Sequence, residues 1–223
     1  MGVSSGSTTR AARLRWSAAG AAAFVVLYAL HRVLQGAGAA SSDPAAVAEW
    51  IDSARGLLLA SELVLGAALL TCFVFIAPLV VVLREDGAPV TATAVALSGG
   101  VFIAMGLVSS ALETALYAST GAEPVQVVVL DGLQARVPNV LAAAALAACL
   151  APAFLQRRLA WRWVGIASLV AAAAFVLGFA SGVVGSAPES GGSVFGVVAF
   201  VVWLALVSVA LFASAARAGR SAD

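Results

Sequence analysis

The sequence predicts an all-α, polytopic membrane helix bundle of six transmembrane helices, with both termini cytoplasmic and short capping helices outside. Three observations carry that prediction. The 223 residues are 62% hydrophobic and only 10% charged, with a mean hydropathy of +1.05, far too little charge to cover a soluble domain. The apolar residues fall into runs of the length that crosses a bilayer core as a helix, roughly 20 residues. All twelve basic residues are arginine, and they gather at one set of run ends.

The runs, in order, are Trp16–Leu34, Gly56–Leu83, Val90–Tyr117, Pro138–Leu155, Trp163–Val184 and Ser193–Ala216. Backbone polar groups in lipid must find partners within their own segment, so these are helices. The alternation of apolar with polar residues that marks a membrane barrel strand is missing. Residues 1–15 are expected as a cytoplasmic tail, 16–216 as the transmembrane domain and 217–223 as a second tail. With the N-terminus inside, nine of the twelve arginines lie on the cytoplasmic side; only Arg32, Arg55 and Arg136 lie outside. Arginine bias in short loops sets orientation. Trp16, Trp50, Tyr117, Trp161 and Trp163 stand at span ends, where amphipathic rings favour the interface. A competing reading takes Arg10, Arg13 and Arg15, the first apolar run and "GAGAASS" as a cleaved signal peptide; His31 and Arg32 interrupt the approach to that site.

The cytoplasmic turns "REDGAP" and "QRRLAWR" are tight and make their flanking spans antiparallel neighbours. Outside, "SSDPAAVAEWIDSARG" reads as a short surface helix with Asp43 as N-cap and Pro44 at its first position. "EPVQVVVLDGLQARVP" reads as a second, broken near Gly132. Small residues are expected to mediate helix contacts, through "GFASG" (Gly178 to Gly182) and "LAAAALAA". Packing within the chain is the plainer use of that glycine pair; a dimer seam is the other.

The stretch "DGLQAR", Asp131 to Arg136, matches the start of the CDP-alcohol phosphatidyltransferase signature. The match fails beyond it. The glycines and final aspartate that should follow Arg136 fall at Ala145, Cys149 and Ala153. The carboxylates needed to hold metal and activate an alcohol are missing. Cys72 and Cys149 form no Cys-x-x-Cys pair and read as packing residues. The single histidine excludes a bis-histidine haem within one chain. No cofactor and no metal is assigned, and a net charge of +1 gives no reason for a nucleic-acid partner.

Charges inside a membrane are expensive, about 2.5–3.5 kcal/mol on insertion scales at a helix centre, so each needs a reason. Glu62 and Glu113 lie within spans. His31 and Arg32 close the first span, and Asp131 and Arg136 flank the fourth. All six fall in the outer half of the membrane or at its surface. A shared polar cluster follows, with Ser61, Ser109, Ser110 and Thr114 as candidate hydroxyls. In one reading the arginines pair with the glutamates as struts. In another, Glu62 binds a proton, a cation or a polar ligand in an outward-facing pocket. In a third, the two carboxylates and His31 form a hydrolytic site, although no nucleophile motif accompanies them. The inner halves of spans two to six offer almost no ionisable group, which argues against a pump.

The basic-aromatic turn opening the fifth span, "RRLAWRWVGIASLVAAAAFVLG", together with the six-span layout over roughly Trp16 to Ala216, resembles a bacterial family of six-span membrane proteins of unassigned function. The resemblance implies a stand-alone multi-pass protein and carries no site residues with it. Arginine without lysine, with abundant Ala, Gly and Val, also suits a GC-rich genome. The expectation is therefore a multi-pass protein of the bacterial plasma membrane, non-enzymatic, structural or accessory. Its partners are the lipid bilayer and a second copy or another membrane protein. The alternatives are a small-solute transporter or ligand-binding subunit, and a membrane enzyme.

Overall fold

The structure, a computed structural model, describes residues 4–36, 43–118, 139–184 and 191–220. Six helices and no strand occur among them: α1 Ser4–Gln35, α2 Pro44–Glu85, α3 Pro89–Ala118, α4 Asn139–Leu155, α5 Arg162–Val184 and α6 Gly191–Arg220. Five are long and apolar enough to cross a membrane; α4, an apolar helix of 17 residues, is shorter. Within the described residues, each expected run lies inside one of these helices. α1 continues through the arginine segment that precedes its apolar run.

One element differs from the sequence reading. The surface helix expected around Trp50 is not separate: it is the first part of α2, a single helix of 42 residues. Asp43 adopts the extended backbone of an N-cap and Pro44 follows it, but the Asp43 side chain makes no capping hydrogen bond. Nothing between Trp50 and Gly56 breaks the backbone ladder, so the helix runs on into its apolar part. The second expected surface helix, with Asp131 and Arg136, lies outside the described residues.

Local chemistry accounts for the turns. α2 ends on Gly87, whose φ of +72° is costly for residues with a Cβ. The Ala88 N–H donates to the Leu83 carbonyl at 2.9 Å and the Gly87 N–H to the Arg84 carbonyl at 3.1 Å. These bonds satisfy orphan carbonyls at the helix end. Pro89 then opens α3, where its missing N–H costs nothing. Between α4 and α5 the reversal rests on two residues with positive φ, Arg157 and Trp161. It is pinned by the Ala160 N–H donating to Ser214 Oγ of α6 at 2.7 Å.

Each helix packs on its neighbours in chain order, and α6 packs back on α1, which closes the ring. Phe200 of α6 occupies the middle. Its ring meets Phe24 at 5.8 Å, Phe102 at 5.4 Å, Phe175 at 6.1 Å and Trp203 at 5.9 Å between centroids. α1, α3, α5 and α6 thus meet in one aromatic plug, and edge-to-face geometry adds to its area burial.

Among the described residues, close backbone approaches occur at Gly20 and Gly165. A Cβ on Gly20 of α1 would lie 2.5 Å from the Phe75 nitrogen of α2. A Cβ on Gly165 of α5 would lie 2.9 Å from the Ala151 carbonyl oxygen of α4. A Cβ on Gly178 would meet nothing within 4 Å among the described residues. The alanine run of α4 does what was expected: Ala142, Ala143, Ala144 and Ala147 are all buried.

The arginine-rich end is tied by charge. Arg10 grips Asp86 through two bonds, Nε to Oδ1 at 3.2 Å and Nη2 to Oδ2 at 2.8 Å, and also donates to the Arg158 carbonyl at 3.1 Å. Arg13 pairs with Glu85, and Arg158 donates to the Asp86 carbonyl. The two acids of "RED" therefore join α1 to both turns at this end.

Candidate polar site at the arginine-poor end

Three ionisable side chains from α1, α2 and α3 converge at the other end. One nitrogen of His31 and one carboxylate oxygen each of Glu62 and Glu113 lie within 4.8 Å of one another. Helix rise explains the common height. His31 lies about 32 Å along α1 from Arg10, Glu62 about 35 Å along α2 from Glu85, and Glu113 about 36 Å along α3 from Pro89. All three therefore stand at a common level, roughly the thickness of a bilayer core away from the arginine-rich end.

The site is enclosed. His31 is 2% exposed and Glu62 5%. On one side lies the main core, with Phe24 and Tyr28 stacked at 5.6 Å and the His31 ring 5.8 Å from Tyr28. On the other side Ile51, Leu58, Leu116 and Tyr117 form a small second apolar cluster, edged by Trp50 against Tyr117. The polar groups are a thin layer between two apolar ones.

Each of the three side chains is held by another group. His31 Nδ1 is 3.0 Å from the Ser61 carbonyl. A carbonyl only accepts, so Nδ1 carries a proton. Ser110 donates to Glu62 Oε2 at 2.7 Å, and Gln35 Nε2 donates to Glu113 Oε2 at 2.9 Å. Glu62 Oε1 is different. It is buried and accepts no hydrogen bond; the nearest cationic candidate is His31 Nδ1 at 3.9 Å. A buried carboxylate oxygen without a donor is costly.

The expected six-residue cluster is assembled in part. His31, Glu62 and Glu113 meet. Arg32 does not reach a glutamate directly: it donates to Gln35 Oε1 at 2.7 Å, and Gln35 in turn holds Glu113. Arg55 pairs with Asp52 on its own helix and leaves Glu62 alone. No arginine among the described residues lies within salt-bridge distance of Glu62. Asp131 and Arg136 fall outside the described residues. Among the expected hydroxyls, Ser110 reaches the site; Ser61 contributes its carbonyl and turns its own hydroxyl to the Leu58 carbonyl at 2.7 Å.

Two participants, Tyr28 and Gln35, were missed by sequence reasoning. Their signal was present: Tyr28, His31 and Gln35 recur at the spacing of one helix face. The groove of about 630 Å³ lined by Ala12, Arg15, Trp16 and Phe212 lies at the opposite end and contains no residue of this site. No family model, no curated protein and no solved structure matches the chain.

Proposed function

We propose that this chain is a ligand-binding protein of the bacterial plasma membrane, with six spans and both termini cytoplasmic, whose outer end binds a cation around Glu62. The observation that carries the reading is Glu62 Oε1: buried, without a hydrogen-bond donor, and within the group it forms with His31 and Glu113. Two carboxyl groups so close in a low-dielectric layer do not both ionise unless a cation sits between them; a shared proton is the alternative. The packing around Phe200 favours binding over conduction, because an ion path needs polar steps where this plug is apolar. α1 belongs to the mature protein in this reading, since it carries His31 and is wedged between α2 and α6.

The structural reading, in which the site is a polar strut, draws on the bonds from Ser110 and Gln35 to the two carboxylates. Thermal unfolding of the full chain in lipid nanodiscs, across sodium, potassium, calcium, zinc and a small organic ammonium ion, separates the two. The binding reading expects at least one cation to raise the melting temperature of the wild type but not of Glu62→Gln. Saturation at 100 times Kd stabilises by about 2.7 kcal/mol. A wild type indifferent to every cation would leave the strut as the better account. Reporter fusions at Ser42 and Arg157 test orientation: an outside signal at Ser42 and an inside one at Arg157 are expected, and the reverse pattern would refute the topology.

A further inference from the structure

We infer that the ligand of this site is a divalent transition-metal ion of the zinc class, held by His31, Glu62 and Glu113 with at least one coordination position left open. The inference rests on the cation-binding reading and narrows it. The donor set decides the class. Imidazole nitrogen suits zinc and its neighbours, whereas calcium and magnesium prefer all-oxygen shells. Three protein ligands leave a fourth position for water or another ligand in a tetrahedral ion.

Distances agree with this assignment. Zinc bonds to nitrogen and oxygen are roughly 2.0–2.2 Å, so two donors on one ion are roughly 3–4 Å apart. The three side chains have ligand atoms within 4.8 Å of one another, so an ion requires them to close by roughly an ångström.

The supporting shell agrees as well. A metal-binding histidine commonly donates its other ring N–H to a carbonyl or carboxylate, which fixes tautomer and orientation. His31 Nδ1 donates to the Ser61 carbonyl at 3.0 Å and is also the nitrogen 3.9 Å from Glu62 Oε1, so an ion taken through Nε2 requires the imidazole to turn. Ser110 holds Glu62 through Oε2, which leaves Oε1 as the buried oxygen without a donor. Gln35 holds Glu113 through Oε2. The two carboxylates, on different helices, are each held through Oε2 by a neighbour that is not itself a ligand.

The test uses the full chain, affinity tag removed, in nanodiscs of uncharged lipid. Zinc retained after gel filtration is counted by elemental mass spectrometry, and cobalt is added as a visible probe of coordination. One zinc per chain is expected, with a cobalt ligand-field spectrum that zinc abolishes. His31→Gln and Glu62→Gln each should weaken zinc binding by roughly tenfold or more. Glu49→Gln, an exposed acid on α2, should leave it unchanged. Helical circular dichroism identifies any variant that has not folded, and the wild-type stoichiometry and cobalt spectrum stand without the variants. Substoichiometric zinc in the wild type, or equal zinc in folded Glu62→Gln, would overturn the inference. If another cation then stabilises the wild type through Glu62, the broader reading survives; if none does, both fall.

Discussion

At the scale of the residue, Glu62 and its two neighbours define what the site can do. The Glu62 carboxylate is fixed through Oε2 by the Ser110 hydroxyl, and its Oε1 accepts no hydrogen bond. Ser110→Ala removes that hydroxyl and leaves Glu62 free to turn; zinc affinity, measured by competition with a chromogenic chelator, should fall roughly 10–100-fold. Gln35→Leu should act through Glu113 in the same range. Arg32→Ala should change affinity far less, because its contact is to the Gln35 oxygen and not to a ligand. Equal losses from Arg32→Ala and Ser110→Ala would mean that net charge, not orientation, governs binding. Part of this was legible in the sequence: an ionisable group inside or at the end of an apolar run needs a reason, which brings Glu62, Glu113 and His31 into the expected cluster. The partners were not. Which arginine meets which acid depends on helix rotation, and Arg32 and Arg55 both spend their charge on polar groups of their own helix, one turn away.

At the scale of the element, α1 and α2 show how the site is placed. Gly20 lets the two helices touch backbone to backbone, and Ser17 Oγ donates to the Phe75 carbonyl at 2.5 Å in the same contact. A methyl at Gly20 meets main-chain atoms that cannot step aside. Gly20→Ala is therefore expected to destabilise by about 1–3 kcal/mol despite the better helix propensity of alanine. Gly178→Ala, where the added methyl has room, should be neutral or stabilising by up to about 1 kcal/mol. Reversible unfolding in mixed detergent micelles measures both, and a Gly178→Ala loss as large as that of Gly20→Ala would mean that Gly178 faces a partner. Sequence spacing pointed to Gly178 because a glycine pair four apart is the usual sign of close packing. It could not show that Gly20, a lone glycine in "SAAGAAAF", is where two helices meet. The apolar part of each helix was legible from its length, and the turn between α2 and α3 from Gly87 and Pro89; that α1 and α2 start twelve residues before their apolar runs was not. The fusion of the expected surface helix with α2 was not, since no residue there marks either a break or a continuation.

At the scale of the whole molecule, the helices divide the interior by depth: a charged girdle at one end, an aromatic plug in the ring, a polar layer, and a small apolar cluster beyond it. Phe200 holds the middle together through rings from α1, α3 and α5. Phe200→Ala should cost about 3–5 kcal/mol of stability by thermal or denaturant unfolding; a loss below about 1 kcal/mol would mean that the helices do not depend on a shared centre. The same layering keeps the site separate from the opposite end, which is what the proposed binding role requires. The most direct measurement is native mass spectrometry of the chain released from its own membranes, wild type beside Glu62→Gln. The account predicts a metal-ion adduct on the wild type that the variant lacks, with both still folded. Bare wild-type and variant chains of matching adduct pattern would contradict it.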